Sequence, residues 1–128
     1  MPTRQRQILS RWRTLTAAPV YGVLQAQLEP PAPDNVVLVD TVVLAANPYV
    51  PCQAFLHFDD ASSPAINQSA NAGMDVFEGT LEVPGGHALV ITWSGEVGAS
   101  VLTARIHLTL FETVLVPNFG SAITTWRG

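Results

Sequence analysis

Within residues 100–112, apolar and polar side chains alternate strictly from Leu102 to Leu110. Leu102, Ala104, Ile106, Leu108 and Leu110 fall on one side, and Thr103, Arg105, His107 and Thr109 on the other. A period of two held over about ten residues marks a half-buried β-strand, because successive side chains of a strand point to opposite faces. A strand needs neighbours for its backbone donors and acceptors, so the rest of the chain has to supply a sheet.

It does so repeatedly. Residues 20–28 place Val20, Leu24, Ala26 and Leu28 on one side and Gln25 and Gln27 on the other. Pro30, Pro31 and Pro33 then make residues 29–35 a stiff connector, since proline fixes φ and lacks a ladder donor. Residues 36–44 are rich in β-branched side chains and read as a strand covered on both faces. Asn47-Pro48 marks a turn, and residues 50–58 read as a strand with Cys52, Ala54, Leu56 and Phe58 on one face. Residues 59–73, DDASSPAINQSANAG, read as an exposed polar loop. Residues 74–83 alternate, with Phe77, Leu81 and Val83 inward and Glu78, Thr80 and Glu82 outward. Pro84-Gly85-Gly86 predicts a type II turn into a strand over 87–93. The last three strands, joined by short loops, predict an antiparallel meander. The whole pattern predicts an all-β fold: an antiparallel β-sandwich of six to seven strands, as a jelly-roll or an immunoglobulin-like form. A chain of 128 residues is one such domain.

The two ends differ from this body. Residues 1–18 form an N-terminal basic arm or a short helix, since Ile8, Leu9, Trp12 and Leu15 would share one helical face. All six basic residues of the chain are arginine, and four of them, Arg4, Arg6, Arg11 and Arg13, lie here with no acid among them. Residues 19–113 are the sandwich domain and contain all ten acids. Residues 114–128 form an apolar tail with Phe119, Trp126 and a single charge, Arg127. Charged residues are 12% of the chain, about half the usual share, against 48% hydrophobic ones. That balance excludes disorder and coiled coils, and it points to burial against partners. An acidic body repels phosphate, so no direct contact with nucleic acid is expected. No apolar run is long enough for a membrane helix. The two ends are the predicted docking segments: guanidinium groups pair with carboxylates on a neighbour in a planar, bidentate way.

The search for chemistry returns no catalytic, metal or cofactor site. Cys52 is the only cysteine and has no local base, so it reads as a small buried hydrophobe. His57, His87 and His107 show no metal-ligand spacing, and Asp59-Asp60 lacks the calcium-loop pattern. Glu78 and Glu82 lie about 13–14 Å apart by the rise of a strand, too far for either glycosidase mechanism. Phosphate-binding loops and a nucleophile elbow are missing, and there is no lysine.

The arm (TRQRQILSRWR), the lysine-free body with its segment VVLVDTVVLAANPYVPCQAFLHF, and the tail (VPNFGSAITTWRG) together resemble small virion structural proteins of tailed bacteriophages, in particular capsid decoration or cement proteins. The resemblance implies a non-enzymatic protein of the virion, assembled in the bacterial host cytoplasm. It further implies a homo-oligomer, with a trimer favoured, whose terminal arms bind the major capsid protein or other virion proteins. Arg4, Arg6, Arg11, Trp12 and Arg13 are the expected contacts in the arm, and Phe119, Trp126 and Arg127 in the tail. Two other readings fit the same residues. One is a tail, head–tail connector or baseplate component; the other is a glycan-binding sandwich using Trp126 and Tyr49.

Overall fold

The computed structural model describes residues 3–115, and these residues form nine β-strands and no helix. They are β1 (Thr3–Thr16), β2 (Ala18–Val20), β3 (Val23–Leu28), β4 (Asn35–Asn47), β5 (Gln53–Phe58), β6 (Asn67–Ser69), β7 (Met74–Pro84), β8 (Leu89–Ser94) and β9 (Val101–Leu115). Two antiparallel sheets result, one ordered β1-β9-β4-β7 and the other β2-β3-β8-β5-β6. They pack face to face as a sandwich, so the expected all-β class holds, but with nine strands in place of six to seven, since β1 and the short β2 and β6 come from segments read as an arm, one longer strand and a loop.

The alternating strand of the sequence is central. β9 pairs with β1 on one side and β4 on the other, and its inward residues Leu102, Ala104, Ile106 and Leu108 are buried. They meet Val37, Val39, Val42 and Leu44 of β4 and, across the sandwich, Leu56, Leu89, Ile91 and Trp93 of the second sheet. Burying each such side chain fully contributes roughly 1.5–3 kcal/mol. β8 is buried on both faces. On its outer side Thr92 donates to Nε2 of buried His57 (3.1 Å), whose Nδ1 donates to the Ser63 carbonyl (2.8 Å). Residues of the polar loop thus cover part of the second sheet. The loop is not structureless: it contains β6, and the Asp60 carboxylate caps the N–H groups of Ser62 and Ser63. The Ser62 hydroxyl and N–H lead the contacts that hold the Asp60 carboxyl below its usual range.

Three expectations change. The meander over residues 74–112 does not form, because β7 and β9 belong to the four-stranded sheet and β8 to the other. The chain crosses between sheets at Gly85, where a Cβ would fall within 2.7 Å of the carbonyl oxygens of Ala32, Pro33 and Asn35. The turn is pressed against the proline connector at the point of crossing. Residues 20–28 are not one strand but a hairpin, turning at Tyr21 and Gly22 with φ of 49° and 80°. Both angles are positive, as a type I′ turn requires.

The third change concerns residues 1–18. They form neither a helix nor a detached arm. Thirteen register pairs, from Thr3↔Leu115 to Thr16↔Thr103, tie β1 to β9, and Leu15 is part of the core. Packing against β9 buries Leu15 and half-buries Leu9, and an isolated one- or two-turn helix has nothing comparable to offset its nucleation cost.

Candidate functional site

Among the described residues β1 is an edge strand, paired on one side only. Its register against β9 shifts between Gln7 and Leu9, which leaves Ile8 as an extra, bulged residue. The bulge decides where the arginines point. Arg4 and Arg6 lie opposite Val114 and Glu112, whereas Arg11 and Arg13 lie opposite Leu108 and Ile106. These four β9 positions share one parity, so all four arginines project on the face that carries Leu9 and Leu15. Without the extra residue, Arg4 and Arg6 would project on the opposite face from Arg11 and Arg13.

Two of the four are held internally. Arg6 donates to Glu112 at 2.8 Å. Arg13 grips Glu29, at the start of the proline connector, through both terminal nitrogens, with Nη2 to Oε1 at 2.6 Å. The Arg13 hydrogen bonds lead the contacts that hold the Glu29 carboxyl at about 2, and the same pairing raises the Arg13 guanidinium. Glu29 is exposed, so this fork contributes about 1 kcal/mol or less. Arg4 and Arg11 are exposed, and among the described residues neither has a carboxylate within ion-pair distance. Arg11 lines an open groove of about 180 Å³ on this flank, floored by Leu9, Leu28, Val37 and Leu108. A groove with an apolar floor and an uncommitted guanidinium suits an apolar segment that carries a carboxylate.

Trp12 lies on the other face of the strand and is 48% exposed. Its ring meets the His107 imidazole edge-on at 5.1 Å between centroids, and the Arg105 guanidinium sits 5.1 Å above it. His107 Nδ1 donates to both oxygens of Asp40 (2.9 and 3.0 Å), Ser10 donates to Nε2 (3.3 Å), and Thr109 donates to Ser10 (3.4 Å). Asp40 reaches His107 because it is the extra residue at a register shift between Val39 and Thr41. Acid, imidazole and hydroxyl stand in the order of a nucleophilic relay. The group nevertheless sits on an open sheet face, and Ser10, Asp40 and His107 line neither the groove beside Arg11 nor the one floored by Val42 and Ile91. A relay of this kind needs a substrate cleft and oxyanion donors beside the hydroxyl. What the arrangement does here is fix the orientation of the His107 and Trp12 rings.

The other candidates are dispersed. His57 is engaged by Thr92 and Ser63, and His87 by Asp59 at 3.0 Å. Among the described residues no three His, Cys, Asp or Glu side chains converge as a metal site would require. Cys52 is buried, which pushes its thiol up. Trp93 is buried in the core, while Tyr49 is exposed and donates to Asn71 at 3.1 Å. A second groove of about 130 Å³, floored by Val42, Leu44, Phe77 and Ile91, is well below the roughly 300 Å³ at which small-molecule pockets begin. Phe119, Trp126 and Arg127 lie outside the described residues. No helix among those residues is long and apolar enough to cross a membrane.

The structure therefore brings Arg4, Arg6, Arg11 and Arg13 together on one face and places Trp12 on the other. Sequence reasoning missed Ser10, Asp40 and His107 as neighbours of Trp12, and Glu29 and Glu112 as partners of the arginines. The one visible signal was Asp40, an acid inside an apolar β-branched run. No protein-family model matches the chain, and no curated protein matches it.

Proposed function

We propose that the protein is a non-enzymatic structural component of a bacteriophage virion, binding the capsid surface as a decoration or cement protein that stabilises the shell. The observation that carries this reading is the arginine face of β1, where Arg11 lines an apolar groove and, among the described residues, neither Arg4 nor Arg11 has a carboxylate within ion-pair distance. Such a surface suits carboxylates on a neighbouring subunit. A cement protein needs contact area across subunit seams, not reacting groups. Low surface charge reduces the desolvation cost of those contacts, and guanidinium–carboxylate forks fix their register. The sequence resemblance to virion structural proteins supplies the setting.

The test is co-sedimentation of the purified protein with parent particles that lack it. The wild type should saturate at hundreds of copies per particle, and the double variant Arg4→Ser/Arg11→Ser should bind at least roughly tenfold more weakly. Saturation at about six or twelve copies would favour a connector or tail role instead. Absence of binding would overturn the proposal. Deleting residues 1–13 is not a usable control, because it removes most of an edge strand that the sandwich packs against.

A further inference from the structure

Among the described residues, the four-stranded sheet ends in two long unpaired edges, β1 with 14 residues and β7 with 11. The other sheet ends in β2 and β6, each of three residues. Very short edge strands are a common way to prevent edge pairing, and only the second sheet uses it. The two long edges have opposite charge. β1 carries Arg4, Arg6, Arg11 and Arg13 and no acid; β7 carries Asp75, Glu78 and Glu82 and no base. Each also exposes apolar side chains, Ile8 and Trp12 on β1 and Met74 and Val76 on β7.

We propose that the occupant of the β1 edge is the β7 edge of a second copy of this chain, added antiparallel so that the four-stranded sheet continues from one protomer into the next. This rests on the assembly reading of β1 above and names its neighbour. Direction supports it. Four antiparallel strands place β1 and β7 in opposite senses, so rotation about an axis along the strands brings β7 of one copy antiparallel to β1 of the next. Charge selects the same pairing. Two β1 edges together would set Arg4 and Arg11 of one copy against those of the other, since Arg6 and Arg13 are already paired with Glu112 and Glu29, and two β7 edges would set three acids against three, while β1 on β7 is attractive. The register puts Glu78 and Glu82 on the outer face and the arginines on the inner one. The complementarity therefore acts through the field of each edge and not through ready-made ion pairs, which makes it sensitive to salt. A contact between two different surfaces of one chain is heterologous, and it closes into a ring when the rotation closes.

The experiment is light-scattering mass measurement of the full chain across protein and salt concentration, with two charge-reversal variants. One is Arg4→Glu/Arg11→Glu on β1; the other is Glu78→Arg/Glu82→Arg on β7. Circular dichroism checks that each is folded. The wild type should assemble at low salt and dissociate as salt rises. Each variant alone should weaken assembly at least roughly tenfold, and an equimolar mixture of the two should restore it, because each then meets an opposite edge. Should either variant misfold, the neutral pair Arg4→Ser/Arg11→Ser and Glu78→Gln/Glu82→Gln replaces it, with partial loss expected from each. A wild type that stays at protomer mass throughout, or reversed variants that assemble as the wild type does, would overturn the inference. Capsid co-sedimentation is scored separately. A protomeric protein that still binds capsids defeats the edge pairing alone, and an assembled protein that binds none defeats the virion reading alone.

Discussion

Arg6 and Arg11 project from the same face of β1 although an odd number of positions separates them, because the bulge at Ile8 resets the alternation between them. The arginine face is thus a product of one inserted residue. Deleting Ile8 should restore plain alternation and turn Arg4 and Arg6 to the Trp12 face. The Arg6–Glu112 pair would be lost, while Arg13–Glu29 would remain. Capsid binding should fall toward that of the Arg4→Ser/Arg11→Ser variant, with a small change in melting temperature; co-sedimentation and thermal denaturation read the two effects.

The Arg13–Glu29 fork predicts a specific pH dependence. The Glu29 carboxyl titrates at about 2 in the folded protein and at 4.5 by its ordinary value. Its folded value is lowered, so its contribution is fully present above 4.5 and is lost as pH falls through 2. The stability difference between wild type and Glu29→Gln should be about 1 kcal/mol or less near neutrality and should vanish near pH 2. Urea titrations at several pH values measure it; a difference independent of pH would contradict the assignment.

His57 has both nitrogens engaged, with Thr92 as the donor to Nε2. Thr92→Val keeps the shape and removes that donor. It should cost about 1–3 kcal/mol, since a buried acceptor is left without a partner. Equilibrium unfolding in urea tests this.

How far the fold could be read from the sequence depended on what alternation encodes. A period of two tells which face of a strand is buried, and so β7, β9 and their core residues were legible, whereas β4, read as covered on both faces, buries Val37, Val39, Val42 and Leu44 and leaves Val36, Leu38, Thr41 and Val43 half-buried. Alternation does not tell which sheet a strand joins. That choice rests on pairings between distant segments, such as β4 with β9 and β3 with β8. β1 was misread for a related reason. The bulge puts Ile8 and Leu9 side by side, and with Trp12 and Leu15 they imitate helical spacing. The Tyr21-Gly22 turn was hidden because Tyr21 is a poor residue for positive φ. The Asp40–His107 pair was invisible because the two lie 67 positions apart.

Gly85 and Gly86 separate two kinds of glycine requirement. Gly85 is enclosed by three backbone carbonyls, whereas Gly86, at φ +82°, has open space around its Cβ position. Gly86→Ala should cost about 1 kcal/mol from left-handed strain alone. Gly85→Ala forces backbone to move and should cost more, with a larger fall in melting temperature. Equal effects would mean that the turn does not press on the connector as described.

Hydrogen exchange on β1 tests the central claim most directly. The amides of the dissociated protomer, at a salt concentration where light scattering gives the protomer mass, and of the protein bound to particles are compared residue by residue. The account predicts slowed exchange at the edge-facing amides of β1, centred on residues 4–13, with the arginine groove as the next most affected region. Protection confined to the second sheet or to the 59–73 loop, with β1 unchanged, would contradict docking through this strand.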